Sequence, residues 1–472
     1  MVAIQRILLL CETETELQEL MALSEALHAD PGFKTVLAVP KGLAKSAHIK
    51  QAAKPVRVIA LDILDGGFDA QDDEGDAPRA KAKRSLIQKI SGRMIGIAKK
   101  LLPASAKERL VLSSKLDTDR VRAAEILRRE NITTLVVTDD RTLFTIPWLG
   151  AAKQAGITSC MIGFAISHPE GGSFMRRNRV EHHLGKNPYK SFKQQFANRH
   201  PGHVYASRFG EMIFYKPNVC GTLEKKQLLP TWPWVSGGGL SDKVCVISAE
   251  AKEMMASLGI AKDIAVVGQC VFDKLWDTNQ HKVERAQHIR AQYGIHNDKP
   301  ILIFAVPHLA EHKICSWEEH ERKLRPLLQL LAARTDVVTL LSLHPRARKK
   351  FYVKLAEEYG LIIAKEALCD VLPIASLFMA THSSTVRWAG ILRIPSIVLD
   401  YNIGHTFLNT MKGNVLLSES DLDAINAHIT RLMSDQAFYV QTQQQLASSI
   451  VDETFDGNVR KRIIATMMRS VA

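Results

Sequence analysis

Short, wholly apolar runs separated by amphipathic stretches constrain this chain more than any other feature. "RILLLC" (Arg6–Cys11) shows no polar alternation, so as a strand it must be buried on both faces. The segment that follows, "ETELQELMALSEALHAD", sets Leu17, Leu20, Met21 and Leu27 on one face of a helix. "KTVLAVP" and "VRVIAL" then repeat the strand signal. Strands of this kind, joined through helices, pair in parallel, and the fold class is α/β with doubly wound sheets.

The alternation resumes with "ITTLVVTDD", a helix in "LFTIPWLGAAKQAG", "TSCMIGFAI", "VCVISAEAKEMMASLG" and "IAVVGQCVFDKL". A second series starts at "KPILIFAV" and continues through "VVTLLSLHP", "GLIIA", "SLFMATHSSTVRWAGILRIPSIVLDY" and "NVLLS". At 472 residues the chain exceeds what one core serves, so two Rossmann-like domains facing a cleft are expected. The expected division is residues 1–268, residues 269–435, and a helical segment 436–472 that closes on the first domain. Residues 182–229 show no clean period. In doubly wound sheets ligands lie outside the carboxyl ends of the strands, which makes the cleft the expected site.

Charge is uneven along the chain. The net charge is +13, and the stretch from Arg79 to Glu130, read as a basic helical insertion, holds 15 Lys or Arg against 5 Asp or Glu. Within it, residues 84–102 space Leu86, Ile87, Ile90, Met94, Ile97 and Leu101 as one face of a helix, with Lys89, Arg93, Lys99 and Lys100 on other faces. Such a helix suits an anionic membrane surface, and equally the chain's own sheet with a solvated basic rim. Nucleic acid is not indicated, since aromatic residues are scarce there and no recognition motif accompanies the charge. No run reaches the length of a membrane span and the amino-terminal apolar stretch turns acidic quickly, so the expected location is cytoplasmic, peripheral on the inner face of the cell membrane at most. The seven cysteines lack paired spacing and read as buried thiols.

Chemistry concentrates at two strand ends. "TLLSLHPRARKKF" leaves a buried strand directly into His344, Pro345 and Arg346, followed by Arg348 and Lys349. These residues suit a phosphate; cations at a helix amino end oppose its dipole, which favours an anion nearby over a merely solvated basic turn. "THSSTVRWAG" brings His382, Ser383, Ser384 and Thr385 to the start of a helix, where hydroxyls and free N–H groups seat an anion, or where one serine simply caps the helix. The two ends are expected on adjacent strands. His308, after "ILIFAV", is expected to line the cleft. His308 and His312 share i, i+4 spacing without a third ligand, and no metal or cofactor is expected.

The order of "VVGQCVFDKL", "KPILIFAVPH", "LLSLHPRAR" and "ATHSSTVRWAGILRIPSIVLDY" resembles the carboxyl half of GT-B fold glycosyltransferases. It is similar to bacterial sialyl- and Kdo-transferases and capsule polysaccharide enzymes, and in layout to the non-hydrolysing UDP-N-acetylglucosamine 2-epimerases. The resemblance implies a metal-independent glycosyltransferase that takes a CMP- or UDP-sugar donor and a glycan or lipid-linked acceptor in surface polysaccharide or glycolipid assembly. His344 and the Ser383–Ser384 pair would then hold the donor phosphate, with Asp400 and residues 402–405 toward the sugar or ribose. Rival readings are a sugar-nucleotide epimerase and a non-catalytic membrane-associated assembly protein.

This chain departs from both relatives. Epimerases carry Asp-Ser-Gly-Gly and paired acids where this sequence has His382-Ser383-Ser384-Thr385, and the transferases carry an acid-acid-glycine motif where it has Asp139-Asp140-Arg141. A general base must be a carboxylate or histidine within hydrogen-bond reach of the acceptor hydroxyl. Asp140 is the first candidate because it ends a strongly apolar strand; Asp139, Glu170 and, less so, His168 are the others. Taken singly, each of them reads first as an ordinary cap or surface group, and only as a set do they point to a base. Gly237, Gly238 and Gly239 suit either close backbone approach to a ligand or a plain surface loop.

Overall fold

Ile7, Leu8, Leu9 and Leu10 in strand β1 (Gln5–Leu10) have no solvent exposure in the computed structural model of the chain. They are buried because β1 lies inside a parallel sheet whose two faces are both covered. The structure describes residues 4–50, 55–62, 104–311, 314–345, 347–381, 383–399, 417–419, 421–450 and 453–469. The expected helix over 84–102, and with it His312, Arg346, His382, Asp400 and residues 402–405, lies outside that set.

The chain divides into two units, residues 1–246, 251–265 and 464–472 in the first, and 247–250 and 266–463 in the second. The first unit holds β1, β2 (Phe33–Pro40), β3 (Arg57–Leu61), β4 (Thr134–Val137) and β5 (Thr158–Ile162). A hairpin of β6 (Val204–Ser207) and β7 (Gly210–Ile213) follows, then β8 (Lys243–Val246) and β9 (Asp263–Val266). The sheet order is β3-β2-β1-β4-β5-β8-β9, with parallel pairing from β3 to β8. A capping box in which Thr13 and Glu16 each take the other's backbone N–H starts the helix Glu14–His28.

The second unit holds β10 (Ile301–Ala305), β11 (Val338–Ser342), β12 (Ile362–Ile363), β13 (Leu377–Ala380), β14 (Ser396–Leu399) and β15 (Leu417–Glu419). They form one parallel sheet in the order β12-β11-β10-β13-β14-β15. Successive side chains point to opposite faces. Ile303, Leu340, Phe378 and Val398 therefore fill one core, and Leu302, Phe304, Leu341, Leu377, Met379 and Ile397 fill the other. In each unit the order reverses beside the first strand, between β1 and β4 and between β10 and β13. A crevice at the strands' carboxyl ends opens at such a reversal.

The last helix, Val459–Met468, is gripped at both ends by buried charge. Asp273 in the second unit accepts hydrogen bonds from the N–H groups of Val459 at 2.7 Å and Arg460 at 3.0 Å. In the first unit the fully buried Lys243 on β8 donates its ammonium to the carbonyls of Thr466 at 3.1 Å, Met467 at 3.0 Å and Arg469. A carboxylate at the amino end and a cation at the carboxyl end both match the helix dipole. Among the described residues no helix is long and apolar enough to cross a membrane.

Candidate functional site

In the second unit, three motifs come out at the carboxyl ends of three neighbouring strands. His344 follows β11, His308 follows β10, and Ser383 to Thr385 follow β13. The expectation that the His344 and Ser383 ends sit on adjacent strands is corrected by β10, which lies between them. Strands are about 4.8 Å apart, so the two ends are separated by roughly 10 Å. His308 on the middle strand fills the gap, and its ring stacks on that of His344 with centroids 3.9 Å apart and planes 12° apart.

At the carboxyl edge beyond β11 a carboxylate of the protein itself meets the start of the next helix. Glu311, three residues past His308, accepts a hydrogen bond from the Arg348 N–H at 3.0 Å, just ahead of the helix Lys349–Tyr359. The Tyr352 hydroxyl donates to the same carboxylate at 3.0 Å. Burial, then Glu311, pushes that phenol well above its ordinary range. The protein thus supplies its own carboxylate to a helix start that lacks a side-chain cap. Pro345 is exposed, and Arg348 lies 5.3 Å over the Trp317 ring.

At the β13 end, the Ser383 hydroxyl accepts hydrogen bonds from the N–H and the hydroxyl of Thr385 at 3.3 and 2.9 Å. Ser383 therefore acts as a local cap while its side chain and that of Ser384 remain exposed. Deeper in the same helix, Arg387 is 6 % exposed and lies 3.5 Å from Glu250. Burial alone would raise the Glu250 carboxyl, but the Ser248 hydroxyl, the backbone and Arg387 outweigh it and hold it below the usual range. Sequence reasoning missed Glu311, Arg387 and Glu250; the three-residue spacing of Glu311 from His308 was the available signal.

In the first unit, Asp139 and Asp140 leave β4 beside the reversal, as expected from the strand. Asp140 has no exposure. Its Oδ1 accepts from the Gly237 N–H at 2.8 Å, and Oδ2 from the Gly239 N–H at 2.9 Å and the Ser241 hydroxyl at 2.6 Å. The Lys262 ammonium adds an ion pair at 3.4 Å. A Cβ on Gly239 would lie 2.0 Å from the Asp140 carbonyl oxygen, so the glycine loop is packed onto this carboxylate. Asp139 is taken up by Arg141, whose Nε lies 3.2 and 3.1 Å from its two oxygens, and by the Ser236 hydroxyl at 3.0 Å.

Glu170 is placed differently. It is half-buried in the first turn of the helix Pro169–Arg176 and accepts from two neutral donors, the Tyr205 and Ser173 hydroxyls, each at 3.2 Å. Burial, then Glu170, pushes the Tyr205 phenol up to about 12. His168 caps the same helix by accepting from the Glu170 N–H at 3.2 Å, and burial lowers its pKa, which keeps the ring neutral. Glu16, which the sequence reading passed over, is buried beside β4; burial raises its carboxyl, and Asp139 adds to that rise. Among the described residues no group of three His, Cys, Asp or Glu is arranged to hold a metal ion.

The fold is that of the GT-B class, two doubly wound Rossmann-like units. The sequence profile described as UDP-N-acetylglucosamine 2-epimerase matches residues 236–468, from the glycine loop through the whole second sheet. No curated sequence is recognisably similar to this chain. Among solved structures, the UDP-GlcNAc 2-epimerase from Neisseria meningitidis bound to UDP-GlcNAc is similar at 12% identity and a TM-score of 0.54, covering 98% of this chain and 100% of its own. The wall teichoic acid polymerase TagF is similar at 11% and 0.54, covering 99% and 89%. A glycosyltransferase from Rickettsia africae ESF-5 is similar at 10% and 0.52, covering 99% of both chains. At these identities the likeness is one of fold.

Proposed function

We propose that this protein is a nucleotide-sugar enzyme, and that its reaction is glycosyl transfer from a CMP- or UDP-sugar to a glycan or lipid-linked acceptor. The observation that carries the reading is the His308–His344 stack at the carboxyl ends of β10 and β11, on one side of the second sheet's reversal, with the exposed hydroxyls of Ser383 and Ser384 after β13 on the other. In this reading the imidazoles and hydroxyls bind the donor phosphate, with Pro345 setting the turn and Thr385 fixing the Ser383 side chain. Arg346 and His382 belong to the same proposed set. Charge-assisted donors of this kind stabilise the leaving phosphate as the anomeric bond breaks.

Of the expected bases, Glu170 is the one we assign to the acceptor proton. Its oxygens meet neutral hydroxyls, whereas Asp139 is committed to Arg141 and Asp140 to the glycine loop. Neutral His168 beside it caps the helix through Nδ1 and so holds the Glu170 backbone in place. Asp140 accordingly takes the role of loop anchor. The expected membrane contact through residues 84–102 stays part of this reading.

The match of the epimerase profile to residues 236–468 supports a second reading, conversion of the sugar nucleotide without any acceptor. The absence of an acid in His382-Ser383-Ser384-Thr385 weighs against it. Incubation with a single sugar nucleotide, followed by analysis of the sugar, separates the two: an epimerised sugar overturns glycosyl transfer. Thermal-shift measurements with CMP, CDP, UDP and GDP test the shared premise, because a ligand of the native state raises stability by RT ln(1 + [L]/Kd). No shift with any of them removes both readings.

A further inference from the structure

We propose that the insertion between β5 and β8 carries a docking surface for an anionic phospholipid bilayer, built from Met175, Arg177, Arg179, Val180, Tyr189 and Arg208. Residues 175–193 hold six Lys or Arg against one Glu, and all but the buried Lys193 reach the surface. In the same stretch Met175, Val180 and Tyr189 are 45%, 46% and 44% exposed, among the larger apolar exposures of the described residues. A soluble polyanion has no use for exposed apolar side chains; a lipid interface takes cations at its headgroups and apolar or aromatic groups just below them.

The surface is pre-shaped from within. The fully buried Lys193 ammonium gathers the carbonyls of Val180, His183 and Lys186, which folds the loop carrying Val180 and Tyr189 around one point. His183 in turn hydrogen-bonds to the Arg177 carbonyl at 2.8 Å, tying that loop to the helix end that carries Met175. Next to them the tip of the β6–β7 hairpin packs Phe209 against Phe174 at 6.1 Å. Arg208 lies 4.8 Å over Phe209 and Arg177 lies 3.7 Å over Phe174, so the two guanidinium groups flank a pair of aromatic rings. Among the described residues Arg177, Arg179, Lys186, Lys190 and Arg208 form no ion pair with a carboxylate. Their charge is left for an external anion.

The site is independent of the reaction assigned above, and it adjoins Glu170, whose helix also carries Phe174 and Met175. An acceptor anchored in the bilayer would thereby be delivered to that carboxylate.

The test is co-sedimentation of the full chain with vesicles of equal parts phosphatidylcholine and phosphatidylglycerol, against pure phosphatidylcholine. Binding is expected to the first and not the second, and to weaken as salt screens it. R177Q/R179Q/R208Q is expected to weaken binding roughly a hundred-fold, since each cation near the surface is worth about a factor of five. M175S/V180S/Y189S is expected to weaken it as well, and to leave binding more salt-sensitive. All six side chains are at least partly exposed, so both variants should still unfold in one cooperative transition above the assay temperature, which a thermal scan checks. Unchanged sedimentation of the first variant shows that another basic segment makes the contact and overturns the site. Unchanged sedimentation of the second reduces the surface to a general polyanion patch and overturns the bilayer assignment.

Discussion

The imidazole rings of His308 and His344 lie face to face, 3.9 Å between centroids, although the two residues are 36 positions apart and leave different strands. Parallel pairing of β10 with β11 brings both loops out at one edge, and the stack then fixes the two ring planes together. Whatever one ring binds is therefore positioned by the other.

Replacing either ring by alanine should weaken nucleotide binding about ten-fold, near 1.4 kcal/mol, as measured by titration calorimetry with UDP and CMP. The double variant should lose less than the sum of the two, because each single change already frees the remaining ring. Strict additivity would show that the rings act separately.

Asp140 and Glu170 should part company experimentally. Asp140→Asn places an amide where two glycine N–H groups and a serine hydroxyl donate, and it should cost about 2–4 kcal/mol of stability, read by chemical denaturation. Glu170→Gln should leave the unfolding midpoint within about 0.5 kcal/mol yet lower turnover roughly a hundred-fold or more. A stable, inactive Asp140→Asn protein would return the base to Asp140.

The strand ends were legible because parallel strands buried on both faces write themselves as unbroken apolar runs: β1, β4, β10 and β11 all read directly from the sequence. His344, His308, Ser383 and Asp140 were found on the same logic. What could not be read is what meets those ends across long separations. That Asp140 faces the glycine loop, about a hundred residues on, follows from tertiary packing alone. The insertion after β5 was opaque for another reason. Its core draws Phe196, Met212, Phe214, Tyr215 and Trp234 from short, separate pieces, and buried His182, Lys193 and His203, hydrogen-bonded to backbone carbonyls, interrupt any apolar period.

Those buried histidines should make the first unit acid-sensitive. Burial, with Arg176 and Arg179 adding to it against Glu181, lowers the pKa of His182 to about 3. Burial also lowers His203 to about 4, with His200 adding to it and the Pro230 carbonyl and Glu224 opposing. Both folded values lie below the unfolded value near 6.5, so the unfolded chain binds protons that the fold refuses. Stability from this source is complete above about pH 6.5 and lost as pH falls toward 4 and then 3, at about 1.4 kcal/mol per pH unit for each ring. The raised Glu16 carboxyl works the other way, since its penalty is relieved as acid protonates it. Urea unfolding followed by tryptophan fluorescence at several pH values should show the decline, and His203→Gln should flatten it. A slope unchanged by that substitution would remove His203 from the account.

Lys243 offers a sharper case, because two effects of opposite sign compete there. Taking an ammonium out of water onto β8 costs several kcal/mol, so Lys243→Met could relieve a burden. Against that, the carbonyls of buried Thr466 and Met467 end the last helix inside the protein, with that of Arg469 at its exposed edge, and removing their common donor leaves them to find others. An unmet buried carbonyl costs about 1–3 kcal/mol, and methionine offers no donor in exchange. The buried carbonyls left unmet outweigh one relieved charge, so Lys243→Met should lose about 2–4 kcal/mol and expose the chain's last residues to early cleavage in limited proteolysis. Asp273→Asn, at the other end of the helix, keeps one acceptor oxygen for the N–H groups of Val459 and Arg460 and should lose less. If Lys243→Met instead melts at or above the parent temperature with its carboxyl terminus still protected, desolvation dominates and the ammonium is not what holds the helix to the first unit.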